Sequence, residues 1–268
     1  MHKTLQPQKI IISGQITRVW VGGTGPALLL LHAAWGDAEM SWSSVWNELS
    51  RSSTIIAPDL PGFGQSSPLP RQSLSAMAQM QKELLSVLHV HKVTVVGNSF
   101  GAAVASQFAS AYPKIVSQVV LVNGGYMPAI PGGIKYVISM PLLKQGLGFL
   151  MRRHTFSRRT LRKSFVNALR LPPDFFDSIL LNSRKYAQIG FDSWLNMTGP
   201  MAKPLVPTFL IWGTKDCLGS MKHAHFIQEW ISGSRLIPIE EAGHMPQIDQ
   251  PQDFIAAITS ISQVPRSS

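Results

Sequence analysis

Short apolar runs recur along the chain at 9–12, 16–21, 27–32, 54–58, 93–96, 119–122, 208–212 and 235–239. Several are apolar throughout or nearly so: ALLLLH, VTVV, VVLV and TFLIW. A strand with one wet face alternates apolar and polar residues, so unbroken runs of this length predict strands buried on both faces, as in a parallel sheet. Between them lie longer stretches whose apolar residues repeat at helical spacing, at 41–50, 73–89, 101–111, 221–231 and 251–261. Ser73 suits the N-cap of the second of these, and Pro251 suits a first helical turn.

Strand–helix alternation of this kind predicts an α/β fold around a mainly parallel sheet flanked by helices. The first two runs are split only by Ser13 and Gly14, which predicts an antiparallel hairpin at the sheet edge. The alternation breaks between 127 and 196, where prolines, glycines and Met-rich apolar patches occur with helical spacing but no strand pattern. The chain therefore divides into a first core segment (1–126), a helical insertion (127–196) and a second core segment (197–268). No internal repeat or low-complexity tract interrupts this plan.

Composition narrows the picture. The 268 residues are 45% hydrophobic and only 14% charged, against a usual quarter or so, which suits one large core. Cys217 is the single cysteine, so no internal disulfide can form. The N-terminal stretch lacks the apolar core of a secretion signal, and no apolar run approaches the ~20 residues of a membrane span. A cytoplasmic protein is expected. The net charge of +10 is unevenly spread: between Glu83 and Asp174 there are eleven lysines and arginines and no acidic residue. Eight of the eleven fall between Lys144 and Arg170.

Three short motifs carry chemistry. Gly97-Asn98-Ser99-Phe100-Gly101 follows an apolar run and precedes an Ala-rich helix. A serine on so sharp a strand-to-helix turn is lifted clear of the sheet edge, and the amide of the next residue, Phe100, can face a developing oxyanion. A serine hydroxyl needs a base, and the base needs an orienting acid. Asp216 follows the run TFLIW, and His244 lies in the loop after the last run. Parallel strands share their C-terminal ends, so all three side chains open at one edge.

In these features the sequence resembles the α/β-hydrolase family over nearly its whole length. Residues 97–101 resemble the nucleophile elbow. DLPGFGQS at 59–66 is similar to the tight loop after the fourth strand, WGTKD at 212–216 to the acid loop, and GHMP at 243–246 to the histidine loop. The resemblance implies Ser99 as nucleophile, His244 as general base and then acid, and Asp216 as the orienting acid. It implies an insertion at 127–196 that caps the pocket, and no metal or organic cofactor. The second oxyanion donor would be the amide of Ala34, in His32-Ala33-Ala34-Trp35-Gly36, where Ala33 replaces the family's glycine. His32 reads as a structural loop residue rather than a base. A serine nucleophile argues against the dehalogenase and epoxide-hydrolase branches, which use aspartate.

The expected reaction is hydrolysis of an ester or lactone of a small to medium, largely apolar molecule, since the insertion is rich in Met, Leu, Ile and Phe. Trp35, Asn98, Arg184 and Met245 are expected in the substrate pocket. Carbon–carbon cleavage of ring-fission dienoates is one alternative: the elbow resembles those enzymes, and Arg184 would take the substrate carboxylate. Against it, Met245 stands where they tend to have an aromatic residue, and the His32 loop lacks their glycine run. A receptor of the same fold, with slow turnover, is another alternative. His223 and His225 form no metal site on this reading, and Cys217 and the pair His89 and His91 read as packing or surface residues. No nucleotide-binding motif is present. Leu161, Phe165, Ala168 and Leu169 predict one amphipathic helix whose other face bears Arg158, Arg159, Arg162 and Lys163. That face is either simply solvated or contacts an anionic surface; without interleaved aromatic residues it does not suggest nucleic acid.

Overall fold

The computed structural model describes residues 5–168 and 171–262. All eight apolar runs form strands: β1 (Gln6–Ile12), β2 (Gln15–Gly23), β3 (Ala27–Leu31), β4 (Thr54–Pro58), β5 (Val93–Asn98), β6 (Val116–Val122), β7 (Thr208–Gly213) and β8 (Arg235–Ile239). They make one sheet in the order β1-β2-β4-β3-β5-β6-β7-β8. The expected hairpin is there at the edge: Ile12 pairs with Gln15, and Ser13 and Gly14 both adopt positive φ, as a tight two-residue turn requires. β2 also runs antiparallel to β4, and the remaining pairs are parallel.

The unbroken apolar runs are explained by two cores, one on each face. Leu28 and Leu30 of β3 join Val96, Val120 and Ile211 on one side. Leu29 and Leu31 join Val95, Leu121 and Leu210 on the other. Successive side chains of a strand point to opposite faces, so each run feeds both cores at once. The first core is closed by α1 (Ala38–Leu49) and α11 (Pro251–Ser262), the second by α2 (Leu74–Val87), α3 (Phe100–Ala111) and α9 (Met221–Trp230). Ser73 caps α2 as expected, accepting from the Ala76 amide. Helix α1 begins three residues earlier than the pattern predicts, because Asp37 caps it by accepting from the Met40 amide.

Between β6 and β7 the described residues contain no strand, only α4 (Gly132–Ile138), α5 (Pro141–Thr155), α6 (Arg158–Lys163), α7 (Phe175–Leu181) and α8 (Ser183–Leu195). The amphipathic helix expected through Phe165 and Ala168 is corrected here. α6 stops at Lys163, because the next amides turn elsewhere: those of Val166 and Asn167 donate to the Asp249 carboxylate. Asp249 ends the one-turn helix α10 (Pro246–Asp249). Leu161 and Phe165 are both buried, but Leu169 lies outside the described residues.

Candidate functional site

Ser99 sits between β5 and α3 with φ 53° and ψ −111°, a conformation that costs a non-glycine residue strain. Its amide donates to Val122 O at 2.8 Å, locking the turn to the next strand. The two flanking glycines are required by close approach. A Cβ on Gly97 would run into the Gly101 carbonyl, and one on Gly101 into the carbonyl oxygens of Leu31 and His32. Helix α3 can therefore start directly against β3, leaving the Ser99 hydroxyl at the strand end.

His244 Nε2 lies 2.9 Å from Ser99 Oγ, and His244 Nδ1 lies 2.8 Å from Asp216 Oδ2. Sequence reading brought these three residues to one edge, and the fold links them in series. Asp216 also accepts from Asn123 Nδ2 at 2.5 Å and from the Leu218 amide at 2.8 Å. Burial disfavours its charge, but His244, Asn123 and the Leu218 amide outweigh that and hold the carboxyl below the usual carboxylate range. Asp216 thus stays anionic and fixes Nδ1 as the protonated ring nitrogen, which leaves Nε2 to accept the serine proton.

Several residues that build this geometry were not singled out in the sequence. Asn123 is buried, has φ 45°, and accepts from the Gly213 amide as it donates to Asp216. A signal for it existed: it ends a buried strand at the same edge as Asp216 does. Asp249 accepts from the amides of Gly243, Val166 and Asn167, joining the histidine loop to the insertion. Ser164 O accepts from the His244 amide at 2.8 Å and strengthens that joint. Gln247 and Asp249 follow the histidine motif closely, but nothing in their spacing marks them.

His32 is fully buried, with Nδ1 2.7 Å from Ala33 O and Nε2 accepting from the Leu60 amide at 2.8 Å. Burial pushes its pKa down despite the neighbouring Asp59 carboxylate, so it is a neutral brace, the structural part expected of it. It holds Ala33, ahead of Ala34. Phe100 is the first residue of α3, and the leading amides of a helix have no partner within it. Among the described residues neither the Phe100 nor the Ala34 amide meets a backbone acceptor.

Above the triad lies a cleft of about 400 Å³ bordered by Ser99, Phe100, Asn123, Gly124, Tyr126, Met127, His154, Leu218, His223 and His244. None of the four residues expected in the pocket borders this cleft. Asn98 is wholly buried below the cleft, donating to Val122 O and His244 O and accepting from Gln247, so it shapes the site from beneath. Trp35 is buried against the His244 ring, with centroids 5.1 Å apart, and against Phe165. Met245 is buried in the core behind the histidine. Arg184 borders a separate cavity between α5 and α8. His223 is exposed, as a solvated helix start would be, and it also stands on the cleft rim because α9 begins beside the acid loop. Among the described residues no group of three or more His, Cys, Asp or Glu side chains is placed to hold a metal ion.

Residues 26–251 match the model of the alpha/beta hydrolase fold family. An uncharacterised protein of Mycobacterium tuberculosis is 31% identical over 255 residues, covering 88% of this chain and 74% of that one. Lipase 3 of Moraxella sp. is 26% identical, covering 86% and 75%. A 2-hydroxy-6-oxononadienedioate/2-hydroxy-6-oxononatrienedioate hydrolase of Comamonas testosteroni is 26% identical, covering 87% and 86%. The fold is shared with a thermophilic esterase of Thermogutta terrifontis at a TM-score of 0.78 and 22% identity, over 98% of this chain and all of the other. An eight-stranded, mostly parallel sheet with a strained serine at the end of its central strand, and a family model spanning most of the length, lead to one conclusion: the chain belongs to the alpha/beta-hydrolase fold family.

Proposed function

We propose that this protein is a serine hydrolase of carboxylic esters or lactones. The observation that supports it is the unbroken series Ser99 Oγ–His244 Nε2 and His244 Nδ1–Asp216 Oδ2 at the floor of the cleft. Ser99 Oγ attacks the acyl carbon and passes its proton to His244 Nε2. The amides of Phe100 and Ala34 stabilise the tetrahedral oxyanion, each by about 3 kcal/mol. Collapse breaks the bond to the alkoxy group, which leaves with the proton from His244. Water then adds to the acyl-enzyme, giving its proton to His244, and the acid departs as Ser99 regains its own. The apolar parts of the lining, Phe100, Tyr126, Met127 and Leu218, suit an uncharged acyl or alcohol group.

Carbon–carbon cleavage is the weaker reading for this chain. Of its two supports, the elbow resemblance stands, but Arg184, which was to take the substrate carboxylate, borders a different cavity. Hydrolysis of p-nitrophenyl esters from acetate to octanoate, with lactones and a ring-fission dienoate alongside, tests the choice. Ester turnover should be fast, show a chain-length optimum, and disappear in Ser99→Ala. Cleavage of the dienoate with barely any ester turnover would favour carbon–carbon chemistry, and single-turnover labelling without cycling would favour a receptor.

A further inference from the structure

Helices α4 and α5 bury none of their residues. Between Ile134 and Leu150 nine large apolar side chains are at least 37% exposed, rising to 84% at Leu142. Soluble domains seldom leave so many neighbouring apolar groups in water. The amphipathicity of α5 is also inverted. Toward α8 it turns mostly polar or small residues, with the half-buried Met151 among them: Lys144 pairs with Asp192 at 2.8 Å, and Gly148 faces Gln188. Leu142, Leu143, Leu147, Phe149 and Leu150 project over an opposite arc of about 160°.

Charge indicates what covers this face. Arg152 and Arg153 close α5, and Arg159, Arg162 and Lys163 continue on α6. None of these five has a carboxylate partner among the described residues. Beside Phe149, Arg152 and Arg184 open into a cavity of about 390 Å³ whose lining contains no acid. The far end of α5, at His154 and Thr155, borders the cleft that holds Ser99.

We propose that α4 and α5 dock on an anionic lipid bilayer. The two helices lie in the interface with their leucines at the acyl boundary and the arginines among the phosphate headgroups. A second copy is the poorer occupant, since a twofold contact through this face sets two unneutralised cationic clusters together. The orientation brings the mouth of the cleft to the bilayer surface, where apolar substrates concentrate. The docking itself does not depend on what the triad cleaves.

Co-sedimentation with vesicles tests this, using phosphatidylcholine alone and phosphatidylcholine with phosphatidylglycerol, over a salt series. The full chain is compared with Leu142→Gln/Leu147→Gln/Leu150→Gln and with Arg152→Gln/Arg153→Gln/Arg184→Gln. Circular dichroism monitors folding, and sedimentation velocity without lipid monitors self-association. The wild type should pellet with the anionic vesicles only, and less as salt rises. The leucine variant should bind at least about tenfold more weakly, and each cation removed should weaken binding roughly fivefold. If the leucine variant does not fold, the arginine variant and the salt series still decide. The proposal fails if the wild type stays in the supernatant with anionic vesicles at low salt. It fails equally if neutral and anionic vesicles bind it alike, if the folded leucine variant binds undiminished, or if the wild type is a lipid-indifferent dimer that the leucine variant separates.

Discussion

Single side chains set the site by what they accept and donate. His32 is buried and neutral, yet it makes stability depend on pH. In the unfolded chain it is protonated as pH falls through about 6.5, whereas burial keeps it neutral in the fold. The unfolded state then binds more protons, so stability is complete above about pH 6.5 and declines as pH drops towards the folded-state value. His32→Gln keeps a donor for Ala33 O and an acceptor for the Leu60 amide. Urea midpoints measured from pH 8 to 5 should therefore slope less in the variant than in the wild type. Asn123 acts on the neighbouring acid. Asn123→Ala leaves Asp216 free to turn away from His244 Nδ1, and kcat for an ester should fall on the order of 10- to 100-fold with KM nearly unchanged. An unaltered kcat would show that Leu218 and His244 alone hold the carboxylate.

At the scale of elements, the elbow depends on α3 lying against β3 without a side chain between them. Gly101→Ala places a methyl in the carbonyls of Leu31 and His32, with no flexible side chain able to yield. The expected cost is about 3 kcal/mol or more, read as a lowered urea midpoint. A second joint links the insertion to the histidine loop through Asp249 and Ser164 O. Asp249→Ala leaves three amides without their acceptor. It should cost roughly 2 kcal/mol of stability and reduce kcat as well, because His244 loses its bracing. These joints explain what the sequence does and does not show. The strands were legible because both faces of each are buried, so the run itself is the signal. The triad was legible because each member follows such a run. The supports of the triad were less so, because Asn98, Asn123 and Asp249 bond partners far along the chain that only folding brings near. The surroundings of Arg184 were hidden for the same reason: it is on the insertion, but it borders a cavity between α5 and α8.

Over the whole molecule, order in the sheet and irregularity in the insertion meet at one place. β6 and β7 are parallel neighbours, and the two ends of the insertion come together after β6, with the Met127 amide 3.1 Å from Met201 Sδ. Closing that gap with a short glycine–serine linker in place of 128–200 adds no loop-closure cost, since shorter loops close more readily. The shortened chain should still unfold cooperatively in urea, at a lower midpoint because the buried side chains of α6 to α8 are gone. It should also lose discrimination among ester chain lengths. A steep loss of cooperativity would mean that the insertion and the sheet share one indivisible core. The insertion's inverted helix was hidden for a related reason: helical spacing reveals an apolar face but not the direction it points. Where both ends of a segment are held together beside the sheet, as at Met127 and Met201, everything between them can be replaced without re-registering a strand. This junction therefore behaves as a splice point, at which the length and shape of the insertion can change while the strand register stays as it is.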